Sequence, residues 1–192
     1  MIRPDDIAGV LGLFGGTFDP VHNGHLRTAF EVRARLELDR IHYIPAAEPP
    51  HRDPPLASVE QRVAMLEAAL RDDDGSIVDR RELSRQGPSY SIDTAKSFRE
   101  EFPRHALGMI LGMDAFLGLP AWHRWEELLD LVNLVVARRP GTGLPESGVL
   151  GELLAELHLD AQRRPSVALD SRLDKDLGID SLGRAELLVR IE

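Results

Sequence analysis

Short apolar runs closed by glycine or proline alternate along this chain with stretches whose apolar residues recur at helical spacing. Val10 to Leu13 runs into Phe14-Gly15-Gly16, a buried strand ending on a glycine pair, and a helix is predicted to begin near His22 to Gly24. Arg40 to Pro45 (RIHYIP) has the composition of a second strand, and Ala46 to Pro55 that of a proline-rich loop. Ser58 to Leu70 is the best-marked helix: Ser58 and Gln61 form a capping-box pattern, Val59, Val63, Leu66 and Leu70 share a face, and DDDG closes it. Ser76 to Asp79 is a short strand candidate, Gly87 to Thr94 leads into a helix ending near Phe102-Pro103, and Ala106 to Leu111 is a further buried strand. Trp125, Leu128 and Leu129 mark another amphipathic helix, and Asn133 to Ala137 the last apolar strand. The alternation predicts an α/β fold: a Rossmann-like, doubly wound parallel sheet with ligands at the strand carboxyl ends.

The pattern changes after Arg138-Arg139-Pro140-Gly141. GTGLPESG has the composition of a linker. Beyond it, Leu150, Leu153, Leu154 and Leu157 make an amphipathic helix, Ala161 to Asp176 is a polar loop, and Asp180 or Ser181 is placed to cap a helix over Gly183 to Ile191.

The candidate chemistry centres on Gly15 to His25. Two glycines after a strand let a ligand approach the backbone, and the helix that follows turns unpaired N–H groups and the positive end of its dipole toward them. His22 and His25, three residues apart, share the face of its first turn and suit hydrogen bonding to phosphoryl oxygens. His51 and Arg52 at the tip of the proline-rich loop suit a phosphate or carboxylate, or are a solvated basic pair. Tyr90, Ser91, Asp93 and Thr94 read as capping and turn residues that a strand-to-helix loop would also bring to the glycine edge. Asp114, just past a strand end and a glycine, suits a ribose hydroxyl. Trp122 follows a proline turn and is a candidate platform for an aromatic ring.

Composition narrows the classes. Hydrophobic residues at 43% and charged residues at 29% are ordinary for a globular protein, and no run approaches a membrane span. MIRPDDIAG lacks the apolar core of a signal peptide, and the absence of cysteine excludes disulfides and thiolate metal sites; both agree with a cytoplasmic location. A net charge of −9 argues against a general nucleic-acid binder, while a local anion site built from backbone amides needs no net positive charge.

Gly15-Gly16-Thr17-Phe18-Asp19-Pro20-Val21-His22-Asn23-Gly24-His25 resembles the signature of the HxGH nucleotidyltransferase superfamily. Pro49-Pro50-His51-Arg52, Ser89 to Thr94, Leu111 to Phe116, Leu119-Pro120-Ala121-Trp122 and Val136 to Gly141 extend the likeness, over residues 8 to 142, to the bacterial nicotinate-nucleotide adenylyltransferases. The resemblance implies transfer of AMP from ATP to nicotinate mononucleotide, giving deamido-NAD and pyrophosphate, with Mg2+ carried on the triphosphate. It further implies that Gly15, Gly16, Thr17 and Phe18 frame the ATP phosphates and that His22 and His25 are catalytic. Gly112, Asp114 and Arg138 would complete the ATP site, while His51, Arg52, Ser91, Thr94 and Trp122 would bind the nicotinate nucleotide. Such enzymes continue with a strand and helix bearing an ISSTxxR-like motif, which this sequence lacks.

Leu173 to Leu182 (LDKDLGIDSL) resembles the front half of an acyl carrier protein, which implies 4'-phosphopantetheine on Ser181 and a phosphopantetheinyl transferase as partner. The expected organisation is thus an adenylyltransferase-like domain over 1–142, a linker over 143–148 and a short α-helical, carrier-like segment over 149–192. The rival function is a carrier or interaction module with a remnant nucleotide-binding domain. A nearer rival is the same transfer to phosphopantetheine or nicotinamide mononucleotide.

Overall fold

The computed structural model describes residues 8–48, 54–138, 144–161 and 186–190. Among them six strands, β1 (Gly9–Gly16), β2 (Arg40–Pro45), β3 (Ser76–Val78), β4 (His105–Gly112), β5 (Asn133–Arg138) and β6 (Glu186–Arg190), form one parallel sheet in the order β3-β2-β1-β4-β5-β6. The helices are α1 (Asn23–Arg35), α2 (Val59–Ala69), α3 (Ser91–Glu101), α4 (Met113–Leu117), α5 (Trp125–Leu129) and α6 (Gly148–Ala161). Arg81–Ser84 and Leu119–Ala121 are 3₁₀ turns.

Strand side chains alternate between two faces, so a strand buried on both sides must be apolar throughout. Val10 and Phe14 of β1, Ala106 and Ile110 of β4, and Val135 of β5 pack with Ala29 and Val32 of α1 and Leu66 of α2. Leu11 and Leu13, then Leu107, Met109 and Leu111, then Leu134 and Val136, point the other way. They pack with Ile92, Ala95 and Phe98 of α3, Phe116 of α4 and Leu128 of α5. Two cores on one sheet are what the doubly wound expectation requires.

Leu150, Leu153 and Leu154 of α6 are buried in the same core as β4 and β5. The helix was anticipated; its apolar face needed a surface to cover, and the α3 side of the sheet supplies one. Asn133 to Ala137 is not the last strand, and within the helix expected over Gly183 to Ile191 the described residues 186–190 form a strand. Glu186–Arg190 pairs with β5 in parallel, from Leu134↔Glu186 to Arg138↔Arg190. The run ELLVR is too short for periodicity to separate helix from strand, and the free edge of β5 decides it. Ser181 lies outside the described residues.

Candidate active site

The strand order reverses between β1 and β4, whose connections leave for opposite faces. Their pairing stops at Leu13↔Met109, although the strands run on to Gly16 and Gly112. Carried forward in the same register, Gly16 stands level with Gly112, and a crevice opens between the two ends. Glycines line it: a Cβ placed on Gly15 or on Gly112 would meet no atom within 4 Å. Among the described residues, no neighbouring side chain requires glycine at either position.

α1 begins directly above this crevice. Its first turn carries no acidic residue, so the positive end of its dipole is not neutralised from within. His22 is its N-cap, and the His22 N–H donates to Nδ1 of His25 at 3.3 Å, a histidine version of the capping box. The two imidazoles stack with centroids 3.8 Å apart. Accepting at Nδ1 places the proton of a neutral His25 on Nε2.

The loop between β1 and α1 is held from below. Phe18 takes a left-handed φ of 50°, and its buried ring meets Phe14 edge-on at 5.8 Å and His25 at 5.1 Å. Phe18 can therefore serve a ligand only through its backbone; its side chain is a floor under His25. Arg62 of α2, 1% exposed, donates from Nη1 to the Thr17 carbonyl at 2.7 Å. Burial pulls the Arg62 pKa below the usual guanidinium value, opposed by Asp19 and Glu60. Asp19 accepts from the backbone N–H groups of Leu56 (2.6 Å) and Ala57 (3.1 Å), fastening the same loop to the start of α2.

On the α3 side, Tyr90, the N-cap of α3, packs its ring against His123 with centroids 4.4 Å apart and planes tilted by 33°. His123 follows Trp122, which is half-buried against the core. Ser91 opens α3, and Asp114 is exposed in the first turn of α4. Gly15 and Gly16 thus end β1 beside Gly112 at the end of β4; Thr17, His22 and His25 lie on the loop and helix start that follow β1, Asp114 on the helix that follows β4, Ser91 at the start of α3 and Trp122 after the Leu119–Ala121 turn. Thr94 is placed differently: it is 2% exposed, and its hydroxyl donates to Glu82 and accepts from Arg85. Arg138 ends β5, its side chain outside the described residues, as are His51 and Arg52 altogether. Among the described residues no group of three or more histidine or acidic side chains is placed to hold a metal ion.

Arg62 and Glu82 escaped the sequence reading. Arg62 left a trace, since it falls between Val59, Val63 and Leu66 on the face assigned to packing, where a charge needs a buried partner. Glu82 left none, because its burial depends on a 3₁₀ turn that has no periodic pattern.

A glycine-lined crevice at the switch point of a doubly wound sheet, under a helix N-terminus with two imidazoles, defines a nucleotide-binding α/β protein. The chain belongs to the cytidylyltransferase-like family, whose model matches residues 13–173. It is 54% identical over 132 residues to a Methylococcus capsulatus protein named as a probable nicotinate-nucleotide adenylyltransferase, an alignment covering 68% of this chain and 63% of that protein. A protein of the same name from Aeromonas hydrophila is 49% identical over 145 residues, covering 76% of this chain and 68% of that protein. The chain thus spans about two thirds of the length of these relatives. Among solved structures, the Plasmodium falciparum nicotinic acid mononucleotide adenylyltransferase complexed with NaAD superposes with a TM-score of 0.68. Its identity is 15%, over 95% of this chain and 75% of that one, a likeness of fold. Among the described residues no helix is long and apolar enough to cross a membrane.

Proposed function

We propose that this chain transfers AMP from ATP to nicotinate mononucleotide, giving deamido-NAD and pyrophosphate in the cytoplasm. The observation that carries the reading is the open crevice between Gly15-Gly16 and Gly112, capped by the His22–His25 pair, in a chain about half identical to proteins named for this activity.

A phosphate oxygen of the mononucleotide attacks the α-phosphorus of ATP in line; the new P–O bond forms as the bond to pyrophosphate breaks, and no covalent enzyme intermediate is needed. Catalysis is then alignment and charge stabilisation. The backbone at Gly15, Gly16, Thr17 and Phe18 lines the phosphates, and the α1 N-terminus draws their charge. His22 and Nε2–H of His25 donate to the oxygens that gain charge as pyrophosphate leaves. Asp114, beside Gly112, accepts from the adenosine ribose, with Arg138 nearby at the end of β5. Ser91 and Trp122 receive the nicotinate ring and its carboxylate, and His51 and Arg52 serve the nucleotide phosphates. The donors at the crevice suit anions, and Mg2+ carried on the triphosphate would supply further charge neutralisation there.

Incubation with ATP, Mg2+ and equal concentrations of nicotinate, nicotinamide and phosphopantetheine acceptors tests the reading. Deamido-NAD as the dominant product supports it. Dominant product from another acceptor, or none above a His25→Asn control, overturns it.

A further inference from the structure

Three separate stretches of chain meet around one buried carboxylate. Glu82, 7% exposed, sits in the 3₁₀ turn Arg81–Ser84 and accepts from the Thr94 hydroxyl at 2.6 Å and from the Ser89 side chain. Arg85 donates from Nη2 to Thr94 Oγ1, also at 2.6 Å. Ser89 faces both ways: its Oγ accepts from the Ala47 N–H at 3.0 Å, and its own N–H donates to the Glu48 carbonyl at 3.0 Å. The cluster therefore ties the exit of β2, the 3₁₀ turn and the first turn of α3 to one another.

Burial pushes the Glu82 carboxyl up from its ordinary value, against the pull of the Thr94 and Ser89 hydrogen bonds and of Arg85. A buried charge is seldom the most stabilising choice at a site, which points to a demand for geometry. What the geometry fixes is the segment from Gln86 to Ser91. At its end Tyr90 packs against His123, beside Trp122. Of the two pieces assigned to the acceptor ring, Ser91 thus follows a loop anchored on Glu82, and the Tyr90–His123 contact joins that loop to the segment that carries Trp122.

We propose that Glu82 is a positioning residue for the acceptor site: through Ser89 and Thr94 it sets the distance between Ser91 and the Trp122–His123 segment, and so governs affinity for a mononucleotide bearing a flat anionic ring, without touching it. The inference rests on the function proposed above. It separates the two substrates, because the ATP side of the crevice is held by Arg62 and Asp19 and not by this cluster.

Isothermal titration of nicotinate mononucleotide and, separately, of ATP analogue into the full chain tests it, with thermal melting alongside. Glu82→Gln keeps the shape but sets an amide N–H₂ against a hydroxyl that must donate. The expected result is about a tenfold weaker mononucleotide Kd with the ATP-analogue Kd within about twofold. Equal weakening of both ligands, or of neither, overturns the role. Should Glu82→Gln fail to fold, Ser89→Ala decides: a selectively weaker mononucleotide Kd supports the inference, and an unchanged one overturns it. Wild-type protein that binds no mononucleotide overturns the proposed function itself, a result distinct from wild-type binding with unaffected variants.

Discussion

The backbone N–H of His22 points at Nδ1 of His25, 3.3 Å away, so the residue that caps α1 also settles which nitrogen of its neighbour carries the proton. His25→Asn can keep an acceptor for the His22 N–H but has no group reaching to the Nε2 position. It is expected to fold with a melting temperature close to wild type while transfer falls by about 10² to 10³. A loss of both together, read by circular dichroism and a pyrophosphate-release assay, would show that His25 is needed for the helix and not for the chemistry.

Arg62 supports the loop that leads into both histidines, through the Thr17 carbonyl. Arg62→Lys preserves a buried charge but loses the flat, fixed donor geometry. The expected outcome is a rise in KM for ATP on the order of tenfold, since small misplacements of aligned groups are costly in rate. KM for the mononucleotide should stay near wild type. A change in the second KM of the same size would mean that the loop is shared between substrates.

How much of this was legible follows from which physical signals are local. Leu11 and Leu13 against Val10 and Phe14, and the Ser58–Gln61 capping box, are written in adjacent residues, and strand, helix and even the box appear where the pattern put them. The glycine–histidine stretch was legible because a phosphate site needs those types in that order. What could not be read is whatever depends on distant partners. Thr94 looks like any capping threonine until Glu82 and Arg85 close over it. Glu186–Arg190 becomes a strand because β5 has an edge to offer, and Leu150, Leu153 and Leu154 of α6 join the sheet's core despite the linker-like stretch before them.

Asp79 contributes to stability in a pH-dependent way. Its carboxylate meets Nδ1 of buried His42 at 3.0 Å and takes both Nε (2.9 Å) and Nη2 (2.8 Å) of Arg81, whose guanidinium lies over the Phe98 ring. Burial alone would raise its pKa; the hydrogen bonds from His42 and Arg81 prevail and hold it well below the usual carboxylate range. The stabilisation is present above the unfolded-state value of about 3.9 and is lost as pH falls toward the lower folded value. Asp79→Asn should lose about 3 kcal/mol at pH 7, as expected for breaking a buried pair. That deficit should shrink as urea melts are repeated below about pH 4. A deficit that is constant with pH would assign the loss to packing.

Trp122 is half-buried, so it is part wall and part platform. Trp122→Leu keeps apolar bulk against the core but removes the flat ring. The mononucleotide should bind about fivefold more weakly, in line with the ~1 kcal/mol that ring stacking adds beyond burial. ATP-analogue affinity should hold. Unchanged mononucleotide affinity in the calorimeter would remove Trp122 from the acceptor site.

Gly15 and Gly16 are neighbours in the same turn with opposite reasons for being glycine. A Cβ on Gly16 would sit 3.0 Å from the Phe18 ring, so Gly16→Ala must displace the floor beneath His25. It is expected to cost about 1–3 kcal/mol of stability, as overpacking does. A Cβ on Gly15 meets no atom within 4 Å, and Gly15 has no left-handed backbone to relieve. Gly15→Ala should therefore melt like wild type, within about 0.5 kcal/mol. If the crevice holds the ATP phosphates against the backbone, the added methyl stands where they must pass, and ATP-analogue affinity should drop at least about tenfold, or ~1.4 kcal/mol. The paired measurement isolates the ligand from the fold, because only the ligand can object to a methyl group that touches no protein. Wild-type affinity in Gly15→Ala would move the phosphates away from the β1 end and with them the roles assigned to His22 and His25.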